Sequence, residues 1–280
     1  MKKLILLAIL VTISSFSYIN MFSDQIKVIS YNVRYNNPND GKDIWKNRKS
    51  TIVEFIKTEI PDFIGLQEVT NSQLLYLNSN LLDYHYIGVG RDDGKTKGEY
   101  SPIFYNKSNY ELIKSDTFWL SDTPKHISVG WDASMERICT YGLFKQNISG
   151  RKVWVFNTHF DHIGNIAREK SVDLILKKIN DLTEINDYII ITGDFNLPDN
   201  SNPIKKIQKF YSDVSLNMDK LSNLYGTFNN FQIRSNSKNR IDYIFYKKFI
   251  LIESNHGNVK TKQGRWASDH HPVISLFNFL

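Results

Sequence analysis

Short apolar runs bounded by turn residues dominate the chain, and between them lie stretches that repeat at helical spacing. Ile26–Val33, Phe63–Gln67, Tyr84–Val89, Ser101–Tyr105, Tyr110–Leu120, Arg137–Lys145 and Lys152–Asn157 alternate or are rich in β-branched and aromatic residues, which predicts strands. Tyr188–Thr192, stopped by Gly193, reads as a strand buried on both faces, with Gly193 turning the backbone at its end. Arg240–Tyr246 and a last strand ending at Leu276 complete the series. Trp45, Arg48, Ile52, Phe55 and Ile56 predict an amphipathic helix over Asp43–Glu59. Ile175, Leu176, Ile179 and Leu182 do the same for Asn165–Leu182, and shorter helices are expected over Thr70–Leu82 and near Pro203–Phe210. Ser149-Gly150 joins two strands as a hairpin. The loops Arg91–Glu99 and Ser121–Ser134 are long enough to expect a role in function. Strands mixed with helices, without a repeat or a linker, predict an α/β chain with one domain over residues 25–280.

A second pattern overlies the first: polar residues gather where the strands end. Asn32, Glu68, His159, Asp194, Asn196, Asp242, Asp269 and His270 all stand at or beside such ends. Each alone has an ordinary explanation. Asn32 suits a turn, Glu68 suits a helix N-terminus, His159 suits a half-buried polar position, and Asp242 suits a solvent-facing one. Eight such residues, all Asn, Asp, Glu or His, outweigh those separate accounts. Asp194 and Asn196 lie two apart, which in extended backbone sends both side chains to one side. Four carboxylates in one cleft repel, by roughly 4 kcal/mol for two charges about 4 Å apart at an effective dielectric near 20. A divalent cation removes that penalty. Carboxylate and amide oxygens without cysteine suit Mg²⁺ or Mn²⁺ better than zinc.

Composition narrows the setting. Of 280 residues, 41% are hydrophobic, and 17 Phe and 15 Tyr supply a large core. The net charge of +6 is spread along the chain and mildly favours an anionic substrate. Cys139 is the single cysteine, so no intrachain disulfide forms, and its strand-like surroundings predict a buried apolar role. Lys2 and Lys3 precede the apolar run Leu4–Ile13 and the serines Ser14, Ser15 and Ser17. That order predicts a signal peptide, or a retained N-terminal anchor, over residues 1–24, and hence an exported protein.

The motifs Ser30-Tyr31-Asn32, Gln67-Glu68-Val69, Asn157–Asp161, Gly193–Asn196, Arg240–Tyr243 and Ser268–Val273 occur in an order that resembles the endonuclease/exonuclease/phosphatase superfamily. The resemblance spans about Ile26 to Leu276. It implies a four-layer α-β-β-α sandwich of two packed, mainly antiparallel sheets flanked by helices. It implies metal ligation by Glu68, with Asn32 and Asp269 beside it. It makes Asp194 and Asn196 the pair that orients and activates water, His270 a phosphate contact, Asp242 the carboxylate that holds a catalytic histidine with Arg240 close by, and His159 a second histidine. Arg137 resembles a phosphate-binding arginine. The Trp- and Arg-containing motifs of the inositol-phosphatase branch are absent, and His159 stands where the abasic-site repair branch has Tyr. The expected activity is Mg²⁺- or Mn²⁺-dependent hydrolysis of a phosphate ester, foremost of a DNA or RNA phosphodiester. A phosphomonoesterase or sphingomyelinase-like enzyme is the alternative, and an inactive binding protein on the same scaffold the second. Arg91–Lys97 with Tyr100, and Arg234–Arg240 with Phe231, are the stretches that would face a nucleic acid. No obligate protein partner is indicated, and a monomer is expected.

Overall fold

The structure is a computed structural model, and it describes residues 25–216, 226–233 and 238–280. The segment read as a signal peptide or anchor lies outside the described residues, as do residues 234–237. The strands are β1 (Gln25–Asn32), β2 (Phe63–Gln67), β3 (Val69–Thr70), β4 (Tyr84–Ile87), β5 (Glu99–Tyr100), β6 (Ile103–Asn106), β7 (Tyr110–Trp119), β8 (Ile138–Gln146), β9 (Lys152–His159), β10 (Tyr188–Asp194), β11 (Ser212–Asp213), β12 (Asp242–Lys247), β13 (Phe249–His256) and β14 (Val273–Phe279). The α-helices are α1 (Trp45–Glu59), α2 (Asn71–Asn80), α3 (Asn165–Leu182) and α4 (Asn202–Gln208). One sheet has the order β13-β14-β1-β2-β6-β4, the other β11-β12-β10-β9-β8-β7, and β3 pairs with β5 apart from both. Pairing is antiparallel except for β1 with β2 and β9 with β10.

Alternation along the strands builds three apolar layers. In β1, Ile26 and Val28 pack between the sheets while Ile29 and Tyr31 pack outward with Ile52 and Ile56 of α1 and Leu74 and Leu77 of α2. In β9 and β10, Val153, Val155 and Ile190 face the other sheet, while Trp154, Phe156, Ile189 and Ile191 pack with Val172, Ile175 and Ile179 of α3 and Ile204 and Ile207 of α4. The result is the four-layer sandwich, with helices outside both sheets.

The middle layer changes character along its length. Continuing the inward parity, Val28 leads to Ser30 and Asn32, Val155 to Asn157 and His159, and Ile190 to Thr192 and Asp194. Asn157 receives a hydrogen bond from Gln67 Nε2 at 2.7 Å and donates to the Leu66 and Pro102 carbonyls at 2.7 and 2.9 Å. Thr192 Oγ1 donates to Asn157 Oδ1 at 3.0 Å, and Gly193 N donates to Ser30 Oγ at 3.1 Å. The sheets are therefore joined at this end by hydrogen bonds.

Some expectations change. Gly193 lies within β10 and turns nothing; a Cβ there would sit 2.6 Å from the Thr158 carbonyl, so glycine serves the close approach of β9. The strand β13 was not legible, because Glu253, Ser254 and Asn255 interrupt its apolar residues and its outer edge is exposed. Cys139 is buried, as expected. Asp132 of the long loop caps α3, accepting from the Ile166 and Ala167 amides at 3.1 and 2.6 Å, so that part of the loop is structural.

The seam yields a first prediction. A Cβ on Gly65 of β2 would overlap the Thr192 hydroxyl and lie 2.6 Å from Asn157 Oδ1. Gly65→Ala should destabilise the fold by about 1–3 kcal/mol or more, the range for overpacking a filled interior. Urea unfolding would measure it, and a midpoint equal to wild type would show that the sheets are not in contact here.

Candidate active site

The parity that fills the middle layer delivers the polar residues to one mouth. Asp194 at the end of β10 is flanked in register by His159 of β9 and Asp242 of β12. Asn32 ends β1 beside Gln67 of β2, and Glu68 follows directly. Asp269 and His270 come from the loop before β14. Arg34, Glu68 and Asn196 each follow a strand end and hold φ of +57, +59 and +49, a conformation uncommon for residues with a side chain. In this turned backbone Asn196 reaches its place, and not by extended-chain alternation with Asp194 as its spacing suggested.

The mouth opens into a cleft of about 560 Å³ lined by Glu68, Arg137, His159, Asp194, Asn196, Asp269 and His270, with further residues from loops. Asn32 and Asp242 are fully buried and lie behind these groups. All eight strand-end residues and Arg137 thus meet in one place. His270 Nδ1 and Asp242 Oδ2 are 2.8 Å apart. His270 Nε2 and His159 Nε2 stand 3.8 and 3.6 Å from Asp194 Oδ2. Asn32 Nδ2 donates to that same oxygen at 2.9 Å and to Glu68 Oε1 at 3.1 Å. The Tyr35 amide donates to Glu68 Oε2 at 3.0 Å, and the Asn196 amide to Asp194 Oδ1 at 3.0 Å.

Burial and neighbours set the protonation pattern. Burial and the Asp242 charge push Asp194 up to about 7. Burial likewise raises Asp269. For His270 burial opposes charging, but Asp242 and Asp194 outweigh it and hold the imidazole's pKa well above its ordinary value. His159 moves the other way, through burial and the nearby charges of Arg137 and Arg91. One histidine is therefore kept cationic and the other neutral.

Arg137 is more committed than a free phosphate ligand. Its Nε donates to Asp161 at 3.3 Å, while Nη1 and Nη2 lie 3.2 and 3.0 Å from His159 Nδ1 and His162 Nδ1. It orients His159 as much as it faces the cleft. Arg240 is also engaged: it is buried in a double hydrogen bond to Asp213 at 3.0 and 2.8 Å and does not face the cleft. Tyr100 is buried as well, with its hydroxyl on the Lys95 carbonyl at 2.8 Å, so it presents no ring to a base.

Periodicity did not find Arg34, Asp40, Arg91, Glu99 or His162, which also line the cleft. Arg34 is clamped by Asp40 at 3.1 and 3.0 Å and lies 3.9 Å from Glu68 Oε2 and 3.8 Å from Asp269 Oδ2. Arg91 pairs with Glu99 at 3.0 and 3.2 Å. These residues sit in turns and loops, where hydrophobic spacing carries no signal; Arg34, two positions after Asn32, and His162, next to the Asn157–Asp161 motif, were within reach of a motif, and Arg91 and Glu99 bound the loop expected to serve function.

The donor chemistry fits a hard divalent cation. The carboxylates of Asp194 and Asp269 are buried at a cost that raises their pKa, and Asp242 Oδ1 is buried without a hydrogen-bond donor among the described residues. Asp194, Asp242 and His270 bring ligand atoms within 4.8 Å of one another. Glu68 and Asp269 add oxygens that both lie within 4 Å of the Arg34 guanidinium.

Comparison with known proteins agrees with this geometry. The sequence profile of the Endonuclease/Exonuclease/phosphatase family matches residues 29–270. The uncharacterized protein L388 of Acanthamoeba polyphaga mimivirus is 30% identical over 262 residues, 83% of this chain and 92% of its own length. An endonuclease/exonuclease/phosphatase structure from Bacteroides vulgatus superposes with a TM-score of 0.84 at 34% identity, over 91% of this chain and 99% of that one. A mannosyl-6-phosphatase from Bacteroides thetaiotaomicron superposes with a TM-score of 0.80 at 35% identity, over 91% and 100% of the two chains.

The site's charges predict a pH dependence of stability. Asp194 and His270 hold protons in the folded chain that the unfolded chain, at 3.8 and 6.5, has already released. The stability they contribute is lost as pH rises through their folded values. His159 and His271 are shifted down and act only below about 6.5, where the unfolded chain protonates. Metal-free protein should therefore melt at a lower temperature at pH 8 than at pH 6.5, and Mg²⁺ should raise the melting temperature more at pH 8. Calorimetry checks both; a metal-free melting temperature that rises over this window would contradict the charge pattern.

Proposed function

The chain belongs to the endonuclease/exonuclease/phosphatase family and is a phosphoesterase by descent, and from that premise we propose that it hydrolyses a phosphate monoester of a small polyhydroxy compound. The observation that carries this reading is the cleft: a mouth whose wall pairs Arg91 with Glu99 and adds Arg137, His162 and Asn230. Such walls offer donors and acceptors to hydroxyl groups around a single phosphate. Of the two stretches considered for a nucleic acid, Arg91 and Phe231 line the cleft, whereas Tyr100 and Arg240 are turned inward and engaged. The similarity to a mannosyl-6-phosphatase over that protein's whole length points the same way. A nuclease is the second reading, favoured by a 28% identity over 182 residues to a probable RNA exonuclease from Saccharomyces cerevisiae, which covers 34% of that protein.

In this reading Glu68, Asp269 and Asn32 would hold Mg²⁺ or Mn²⁺, which when bound neutralises the phosphate's charge and polarises its oxygens. His270, kept cationic by Asp242, donates to a phosphoryl oxygen and stabilises charge that develops in the transition state. Asp194, raised to about 7, is poised to take a proton from the attacking water, with Asn196 and Asn32 fixing its direction. His159, neutral and aimed at Asp194, lines the leaving-group side with Arg137. Export through the N-terminal segment is part of the proposal.

A panel of hexose phosphates, nucleotides, RNA, DNA and sphingomyelin, each with Mg²⁺, tests the substrate class. The expected result is fastest turnover of a sugar monophosphate, abolished by EDTA and restored by Mg²⁺. Faster cleavage of RNA or DNA would establish the second reading instead. Asp194→Asn and His270→Gln should each lower kcat by about 10²–10⁴-fold. The Asp242→Asn, His270→Gln double variant should be little worse than the worse single, because the two act as one unit. Rates within about twofold of wild type for the single variants would remove these residues from the chemistry.

A further inference from the structure

The most exposed large apolar side chains among the described residues are Ile60, Leu82, Ile148, Ile185 and Leu280, at 66 to 75%. Strand direction places all of them at the end of the sandwich opposite the catalytic mouth. Ile60 lies between α1 and β2, Leu82 between α2 and β4, and Ile185 between α3 and β10, while Ile148 tips the β8–β9 hairpin and Leu280 follows β14. Phe210, between α4 and β11, is exposed at the same end. Turns are solvated, and their backbone favours Gly, Asn, Asp or Ser. Ile60 departs furthest from that rule. It caps α1 with φ +47, a left-handed conformation that suits glycine and strains a β-branched residue.

Hydrogen bonds hold these turns together as one platform. Asn109, in the β6–β7 turn, donates to Asp62, two residues after Ile60, at 2.8 Å. The Lys107 amide donates to the carbonyl of Asp83, next to Leu82, at 3.1 Å. Asn147, next to Ile148, gives its amide to the Asn109 carbonyl at 2.8 Å and its side chain to the Ser108 carbonyl at 2.9 Å. On the far side Ile185, Phe210 and Lys247 line one concavity of about 410 Å³.

The platform is basic. Lys107, Lys152, Lys209, Lys247 and Lys248 stand among the apolar tips, all of them exposed or half-buried. Most carboxylates here are engaged. Glu59 pairs with Lys27 at 2.8 Å, Asp62 accepts from Asn109 and from the Lys27 amide, and Asp187 accepts from the Trp154 indole at 3.1 Å. Glu111 and Lys145 lie opposite each other in register. Asp83 and Glu184 face solvent. The chain also enters the fold at this end. β1 starts at Gln25, opposite Asn278 of β14, so the stretch bearing Lys2, Lys3 and the apolar run Leu4–Ile13 joins the domain at the platform. A single exposed isoleucine is ordinary. Apolar tips on one turn after another, set among lysines where an apolar segment joins, suit a bilayer with anionic headgroups.

We propose that this end of the sandwich rests on an anionic membrane surface, with the apolar tips in the headgroup layer and the lysines against its phosphates. The 7 residues of β10, at about 3.3 Å each, separate the platform from the mouth by roughly 20–25 Å. The mouth therefore faces away from the bilayer and draws its substrate from solution. The inference holds whichever soluble phosphate ester the mouth takes.

Fluorescent labels on the full-length chain test it. Cys139 is buried and is spared by a surface label. Ile148→Cys and Ile185→Cys place a polarity-sensitive fluorophore on the platform, and Ile163→Cys places it on the exposed loop after β9, at the mouth end. With vesicles of phosphatidylcholine mixed with phosphatidylglycerol, the emission of the Ile148 and Ile185 labels should shift to the blue and that of the Ile163 label should not. Vesicles of phosphatidylcholine alone should give a smaller shift. Lys152→Glu/Lys248→Glu should weaken vesicle binding at least about tenfold, since each basic residue near an anionic leaflet contributes about fivefold. The same variant should leave turnover of a soluble ester unchanged. Binding without a shift at either platform label would mean that the N-terminal segment alone holds the chain, and would overturn the platform. An equal shift at Ile163 would overturn the orientation. Without vesicles, a dimer by light scattering that shields both platform labels would make the occupant a second copy of the chain and overturn the membrane. If no phosphate ester were turned over, the proposed function would fail while the labels still decided the surface.

Discussion

The structure depends on a hydrogen-bonded seam between its two sheets. Elsewhere the sheets meet through apolar side chains, but at one end Ser30, Gln67, Asn157 and Thr192 take their place. Buried polar groups are costly unless they are paired, and here each of the four residues bonds to the opposite sheet or to nearby backbone, with Gln67 Oε1 alone among their oxygens lacking a partner among the described residues. The seam fixes the ends of β1, β2, β9 and β10 against one another. One step further along the same parity, Asn32 donates across to Asp194 and His270 meets Asp242. The contacts that close the sandwich and those that assemble the site are one continuous network.

This placement puts charge where the fold can least screen it. Asp194, Asp242, Asp269 and Glu68 converge in a buried mouth; burial and this crowding raise Asp194 and Asp269, the carboxylates raise His270 against its burial, and burial with Arg137 and Arg91 lowers His159. Arg34, clamped by Asp40 and close to Glu68 and Asp269, meets part of the demand for positive charge. Left-handed backbone at Arg34, Glu68 and Asn196 is the steric cost of bringing side chains from strand ends into so small a volume.

Much of this was legible in the chain. Period-two alternation found the central strands and the 3.6-residue stripe found α3 to the residue, because both elements are buried on a defined face. The strand-end positions of Asn32, His159, Asp194 and Asp242 followed from the same alternation. The roles of Gly193 and Asn196 did not, since a close approach of β9 and a positive φ depend on partners distant in sequence. Arg240 looked like part of the site from its neighbour Asp242, yet it answers to Asp213, 27 residues away. Arg91, Glu99 and His162 of the cleft wall come from loops; length marked Arg91–Glu99 as a loop of interest, but hydrophobic spacing could not place its side chains. The strand β13 was hidden because its polar residues interrupt the pattern and its Ile250 and Ile252 are exposed.

The central claim is that water, directed by Asp194 and opposite His270, attacks phosphorus in a monoester held in this cleft. Hydrolysis of a hexose phosphate in ¹⁸O-water, followed by mass spectrometry of both products, tests it most directly. The account predicts one solvent oxygen in the inorganic phosphate and none in the released sugar. Label in the hydroxyl released on the sugar would place the attack on carbon, and no release of inorganic phosphate from the hexose phosphate would deny the monoester; either result would contradict the account.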